Sequence, residues 1–123
     1  MMMVKTELKP SSIEGLGVFA LEFIPSGSVV WKLDDRFYSM VHENDLKNLP
    51  PLMQDHFQRY AWPHLFREGI LCCCIDNGRF MNHSKNANTD FKDKELGKAN
   101  KDILVGEEIT CNYAEFDPYF KGF

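Results

Sequence analysis

One stretch of this chain has helical periodicity, and on either side of it turn residues cut the sequence into short apolar runs. Leu46, Leu49, Leu52, Met53, Phe57 and Tyr60 recur at three- and four-residue steps, the spacing of one helix face. Pro50-Pro51 breaks the pattern. The spacing therefore predicts a short turn of helix from about Glu43 to Asn48 and a second helix from near Pro51 to about Tyr60. Proline is tolerated in a first helical turn, and Pro63 closes the segment. Core packing is the expectation for this stripe, with Tyr60 set apart.

The flanks read as β. Met3 to Leu8 suits a short strand, and Lys9-Pro10-Ser11-Ser12 a loop. Leu16 to Leu21 suits a buried strand reached through two glycines. Ile24-Pro25-Ser26-Gly27 has the residues of a type I or II turn, which makes Ser28 to Leu33 the expected second strand of a hairpin. Beyond the helices, Gly69 to Ile75 is a continuous apolar run and Asp76-Asn77-Gly78 a turn. Thr89 to Lys92 and Glu95 to Asn100 read as short exposed strands, and Glu108 to Tyr113 as a final alternating strand. The expected class is mainly β with short helices. A chain of 123 residues is expected to form a single domain over residues 1–123, burying roughly two-thirds of its unfolded surface. Its 44% hydrophobic and 26% charged composition is that of a globular protein rather than a disordered one.

Charge and cysteine content narrow the function classes. A net charge of -4 argues against direct nucleic-acid binding, which needs a basic face, and suits a cationic partner. Cys72, Cys73 and Cys74 are consecutive and Cys111 is alone. Adjacent strand side chains point to opposite faces, so the run cannot converge on a metal, and there is no Cys-x2-Cys pair. Small core residues in a reducing compartment are the expectation. Met1-Met2-Met3 lacks the basic and apolar regions of a signal peptide, and no apolar run approaches the ~18 residues of a membrane span. An intracellular protein without membrane contact is expected.

Three short motifs carry the chemistry. Gly15-Leu16-Gly17 lets backbone approach a ligand or adopt positive φ. It is no dinucleotide fingerprint, since the third glycine and following helix are missing. Arg79-Phe80-Met81-Asn82-His83-Ser84 places three polar residues after two apolar ones, and each needs a partner if buried. An asparagine offers both an acceptor and donors, which suits an amino-acid zwitterion; a self-satisfied polar turn is the rival reading. His83 lacks a second ligand at workable spacing for a metal, and His83 and Ser84 have no orienting carboxylate for nucleophilic catalysis. The third motif is Gly106-Glu107-Glu108-Ile109-Thr110-Cys111-Asn112-Tyr113. Without the other two, Tyr113 would read as core or rim packing.

In this order, the three motifs resemble those of the SET-domain protein-lysine methyltransferases, over roughly Val4 to Tyr119. The size resembles the minimal, stand-alone bacterial or viral type. The resemblance implies the SET fold of small β-sheets with a knot-like crossing near the C-terminus. It also implies S-adenosylmethionine as cofactor and a lysine-containing protein or peptide as substrate, with a histone or another basic protein as a candidate. Tyr113 is implied as catalytic. Gly15, Leu16, Gly17, Asn82, His83 and Tyr113 are implied as cofactor contacts, with Phe116 and Tyr119 in the aromatic tail as candidate adenine covers. That tail, Ala114 to Phe123, also carries Phe120 and Phe123. Tyr60 is the candidate to line the lysine channel, against an equal reading as a core tyrosine. In many family members the position of Cys111 is Phe or Tyr and influences how many methyls are added; a small residue here leans towards di- or trimethylation. Asn86-Ala87-Asn88 departs from the family's usual Cys-x-Pro-Asn variation in lacking Cys and Pro. No zinc is implied, because the cysteine-rich flanks of many members are absent. A dimer completing the substrate groove is a further expectation. The alternative is a catalytically silent SET-like module that binds a peptide. Such a relative would be expected to lose Asn82-His83 or Tyr113, and both are kept.

Overall fold

The structure is a computed structural model that describes residues 1–121; Phe123 of the aromatic tail lies outside the described residues. Among these, the strands form three small sheets. In the first, β1 (Thr6–Pro10) and β2 (Leu16–Ala20) make an antiparallel hairpin with Pro10 opposite Leu16. The loop between them closes when the Ser11 N–H donates to the Gly15 carbonyl at 2.8 Å. β1 starts later than the Met3 expected from sequence, because pairing runs outward from this loop, while Met2 bridges to Trp31 instead.

Downstream of the turn at Pro25, β3 (Val29–Lys32) does not return along β2 as a hairpin. Its partner is the distant β9 (Leu96–Ala99), antiparallel. The reason lies at Ile24, which exchanges backbone hydrogen bonds with Ile103 at 2.9 and 2.8 Å and leads the chain away from β2. Val30 and Trp31 are buried, so β3 needs a covered position. β9 pairs in turn with β8 (Thr89–Asp90). These two strands are not the exposed pair that their charged residues suggested. Thr89, Gly97 and Ala99 are buried, small inward residues between charged outward ones.

The third sheet sets β6 (Ile70–Cys74) between β4 (Tyr38–His42) and β5 (Trp62–Pro63), both antiparallel to it. All three consecutive cysteines are buried and free, so both faces of β6 are covered. Cys72 and Cys74 belong to the main apolar cluster. On the other face Cys73 Sγ lies 3.7 Å from His56 of the helix above it. Burial is the main cause that raises the thiols of all three, Cys74 to about 11, which leaves them as inert core residues.

That helix, α2 (Pro51–Tyr60), follows the one-turn α1 (Glu43–Leu46) and starts on proline as the sequence predicts. The expectation of a core-packed stripe fails. No residue of α2 is buried, and Leu52 and Met53 are 83% and 53% exposed. Gln54, Phe57 and Tyr60, three residues apart, form the half-buried face. A ten-residue helix lying on the outside of a narrow sheet covers it with one row of side chains, and the rest of the stripe meets solvent. The helix stops at Ala61, already extended, since Pro63 disfavours helical backbone at Trp62.

The final strand, β10 (Glu108–Cys111), is central in the first sheet. It runs antiparallel to β2 and parallel to β7 (Asn82–His83), with Asn82 beside Thr110 and His83 beside Cys111. Three of its four residues are buried, where inside–outside alternation was expected. Asn88 explains the polar one: its side chain accepts from the Thr110 N–H at 2.9 Å and donates to the Glu108 carbonyl at 2.8 Å. The core joining the sheets includes Val18, Val30, Trp31, Met81, Ile103 and Ile109. No helix among the described residues is long and apolar enough to cross a membrane, and no group of three or more metal-ligating side chains is found there.

Candidate active site

The parallel pairing of β7 with β10 sets the site. It brings the Asn82-His83 segment alongside the strand that ends just before Tyr113. Tyr113 itself is not in the strand but opens a 3-10 turn, Tyr113–Glu115, capped by Asn112, whose side-chain oxygen accepts from the Ala114 N–H at 3.1 Å. Contacts from the Met81-Asn82-His83 segment help to fix the tyrosine. Its backbone N–H donates to His83 Nδ1 at 3.2 Å, its hydroxyl donates to the Met81 carbonyl at 2.6 Å, and its ring lies 5.3 Å from that of His83. Burial, reinforced by Cys111, Glu14 and Glu108, pushes the Tyr113 hydroxyl above the ordinary range, so it stays protonated. Burial and Lys85 hold His83 below its ordinary value, which keeps the imidazole neutral and Nδ1 able to accept.

Asn82 joins three segments. Its amide nitrogen lies 3.1 Å from the Glu14 carbonyl, 3.2 Å from the Leu16 carbonyl and 3.0 Å from Glu108 Oε2. Glu108 Oε1 in turn accepts from the Ser11 hydroxyl at 2.7 Å. The two glycines serve this clamp differently. Gly15 has φ of 47°, a left-handed turn that suits glycine. Gly17 leaves room for the carboxylate: a Cβ there would sit 2.6 Å from Glu108 Oε2.

Two cavities meet at Tyr113. The larger, a groove of about 740 Å³, is lined by Glu14, Gly15, Leu16, Arg79, Asn82 and Phe120 among others. The smaller, a channel of about 100 Å³, has walls of Trp31, Trp62, Phe91 and Phe116, with Cys74 and Cys111 alongside. Tyr60, Met81 and Tyr113 line both. The channel rings pack edge to face or tilted, Trp62–Phe116 at 6.1 Å and Phe91–Phe116 at 5.3 Å between centroids. Cys111 is fully buried in this wall, and burial raises its thiol, with Glu115 and Cys74 adding to the effect.

The structure thus gathers most of the residues singled out from sequence and separates a few. Gly15, Leu16, Asn82 and Tyr113 line the groove, while Gly17 stands behind it against Glu108. His83 lines neither cavity and supports Tyr113 from behind. Tyr60 and Cys111 both reach the channel. Phe116 lines the channel rather than the groove, and Tyr119 is 77% exposed and lines neither. The tail aromatic in the groove is Phe120, its ring 4.6 Å from His83. The sequence reading missed Trp31, Trp62 and Phe91, which stand in no motif; their aromatic size was the one available signal.

Residues 15–114 match the SET domain family model. No curated protein matches the chain. Among solved structures, a humanized mutant of the Chaetomium thermophilum Polycomb Repressive Complex 2 bound to the inhibitor GSK126 is similar at 26% identity and TM-score 0.66, over 92% of this chain and 15% of that one. The Chaetomium complex in an autoinhibited conformation bound to S-adenosylmethionine gives 25% identity and TM-score 0.67, over 92% of this chain and 16% of that one. This chain therefore spans only a small part of the Polycomb chains. A Plasmodium falciparum protein named as a candidate histone methyltransferase is similar over 91% of this chain and 95% of its own, with TM-score 0.62 and 19% identity, a likeness of fold alone. The family match runs from the Gly15 turn to the residue after Tyr113, taking in most of the residues of groove and channel but not Glu14, Phe116 or Phe120, and the chain belongs to the SET-domain family.

Proposed function

We propose that this chain is a protein-lysine methyltransferase that uses S-adenosylmethionine and acts on the side-chain amine of lysine in a protein substrate. The observation that carries the reading is the meeting of a ligand-sized groove and a narrow aromatic channel at one half-buried tyrosine, whose hydroxyl is held by the Met81 carbonyl. The groove residues fit that cofactor. A volume of about 740 Å³ lies within the range of small-molecule sites, roughly 300–1,000 Å³. Gly15, Leu16, Asn82 and Tyr113 would hold it, with His83 behind Tyr113 as its support. Asn82 has its amide nitrogen on protein acceptors, so its side-chain oxygen is the atom suited to an ammonium group. Phe120 offers the groove an aromatic face.

When bound, S-adenosylmethionine supplies a methyl group on a positively charged sulfur, open to in-line attack by a neutral amine. The chain's own residues prepare that amine. A free lysine, with a pKa near 10.4, is almost wholly charged at neutral pH. Walls of Trp31, Trp62, Phe91 and Phe116 exclude water and disfavour the ammonium form. Tyr113 stays neutral, and its hydroxyl, fixed by donating to the Met81 carbonyl, is the group placed to hold the amine in line. His83 and the Asn82–Glu108–Ser11 clamp keep this hydroxyl fixed relative to the groove.

Calorimetric titration with S-adenosylhomocysteine, the product cofactor, tests the reading first. Saturable binding is expected, weaker in an Asn82→Ala protein whose circular dichroism matches the parent. Methyl transfer to a lysine peptide from radiolabelled donor is the second expected result. No binding at millimolar ligand would shift the reading to a silent peptide-binding module.

A further inference from the structure

The acidic net charge of this chain led to the expectation of a basic partner, but the channel's own lining has the opposite sign. Arg59, Arg79 and Lys94 line it against a single carboxylate, Asp117. That carboxylate is engaged by its own turn, where Oδ1 accepts from the Tyr119 N–H at 2.9 Å. Arg59 has one distant partner, Glu14 at 3.8 Å, with both side chains largely exposed. Arg79 packs its guanidinium over Phe80 at 4.7 Å. Among the described residues, neither Arg79 nor Lys94 forms an ion pair. The carboxylates flanking Lys94 in sequence do not offset it: Asp93 accepts from the Glu95 N–H at 3.0 Å, and neither Asp93 nor Glu95 lines the channel. The groove, by contrast, balances Arg59 and Arg79 with Glu14 and Asp117. The surplus positive charge therefore belongs to the channel side, with Lys94 as the cation peculiar to it.

We propose that the substrate lysine of this enzyme lies in an acidic sequence, with Asp or Glu within two residues of it; this rests on the lysine-methyltransferase reading of the channel. Two physical effects favour it. Cations around a channel repel an incoming ammonium and favour the neutral amine, which is the form that reacts. The same cations then need compensation from the peptide. In an extended peptide the side chains two residues from the lysine point to the same side as it does, so carboxylates there face the same rim. Exposed pairs of this kind are individually weak and screened by salt, which makes them a source of selectivity between sequences rather than of tight binding.

The test measures binding of three fluorescent peptides by anisotropy with S-adenosylhomocysteine present. The peptides share one central lysine and differ only in carrying Glu, Gln or Lys at the flanking two positions on each side. The parent protein is compared with Lys94→Glu. The expected result is binding of the Glu peptide roughly threefold to tenfold tighter than the Gln peptide, with the Lys peptide weakest. The order is expected to collapse at about 1 M salt and to shrink in Lys94→Glu. Equal affinities, a preference for basic flanks, or a preference that Lys94→Glu leaves unchanged would overturn the proposal. Methyl transfer is read separately on the same peptides. Transfer without an acidic preference sinks only the specificity proposal, whereas absence of cofactor binding and transfer sinks the enzyme reading itself.

Discussion

The groove and the channel share Tyr113 but are built on different principles. One wall of the groove, around Gly15 and Asn82, is held by backbone and polar side chains from segments whose residue types are dictated locally. Gly15 turns left-handed, Gly17 leaves space for Glu108, and Asn82 reaches two carbonyls and a carboxylate. The channel is made of large rings drawn from β3, β5, the segment after β8 and the tail, none in a motif. Polar geometry constrains residue identity tightly, because a lost donor or a new Cβ is costly. An apolar wall needs volume, which several side chains can supply. The two halves should therefore break in different ways.

The largest effect is expected where they meet. Tyr113→Phe keeps the ring in both cavities and removes the hydroxyl held by Met81. Methyl transfer should fall by about 100-fold or more, as loss of a positioning group does, while S-adenosylhomocysteine binding changes little. Retained transfer would separate the tyrosine from the chemistry. Next in size is Gly17→Ala, which puts a methyl group 2.6 Å from Glu108 Oε2, inside contact distance. Displacing that carboxylate loosens both Asn82 and Ser11. Stability should drop by about 1–3 kcal/mol, read as a lower Tm, with cofactor binding weakened and the channel rings unaffected. An unchanged Tm would mean that the clamp is not rigid.

The same contrast explains what could be read in advance. The motif residues of the groove could be placed from sequence because each has a local geometric reason. Tyr60 could be singled out, but not Trp62 two residues later, since Trp62 reaches the channel through the pairing of β5 with β6, a tertiary event. β3 was assigned the wrong partner for a related reason: a turn fixes a change of direction, not which strand waits beyond it. The burial of Thr89, Gly97 and Ala99 was hidden by the charged residues between them, and the exposure of Leu52 and Met53 by a periodicity that reports a helix but not how much of it is covered. The tail aromatics show the finest limit. Composition pointed to aromatic cover, while the fold sends Phe116 to the channel and Phe120 to the groove.

A channel made for volume should respond to volume. Cys111→Phe adds a ring to a wall of a cavity of only about 100 Å³. The product distribution, read by mass spectrometry of a methylated peptide, should shift towards monomethyl-lysine. Overpacking at a buried site should also cost about 1–3 kcal/mol of stability, while cofactor affinity stays near that of the parent. An unshifted distribution in a folded variant would show that the surrounding rings, not Cys111, set the methyl number.

The smallest effect belongs to the groove side and follows from His83. Its imidazole accepts the Tyr113 N–H through Nδ1, a contact that protonation of Nδ1 removes. Burial, then Lys85, holds its folded pKa below the ordinary 6.5. As pH falls through about 6.5, the unfolded chain takes up a proton that the folded chain refuses, so the unfolded state binds more protons and stability declines. The contribution is present above that pH, and its loss stops growing once pH passes below the folded pKa. A decrease in Tm is expected between neutral and mildly acidic pH, and His83→Gln, which cannot titrate, should flatten this slope. An identical slope in the variant would assign the pH dependence elsewhere and leave the His83–Tyr113 contact as a packing feature alone. A flattened slope with methyl transfer reduced in parallel would tie the imidazole's neutrality to the position of the hydroxyl where the two cavities meet.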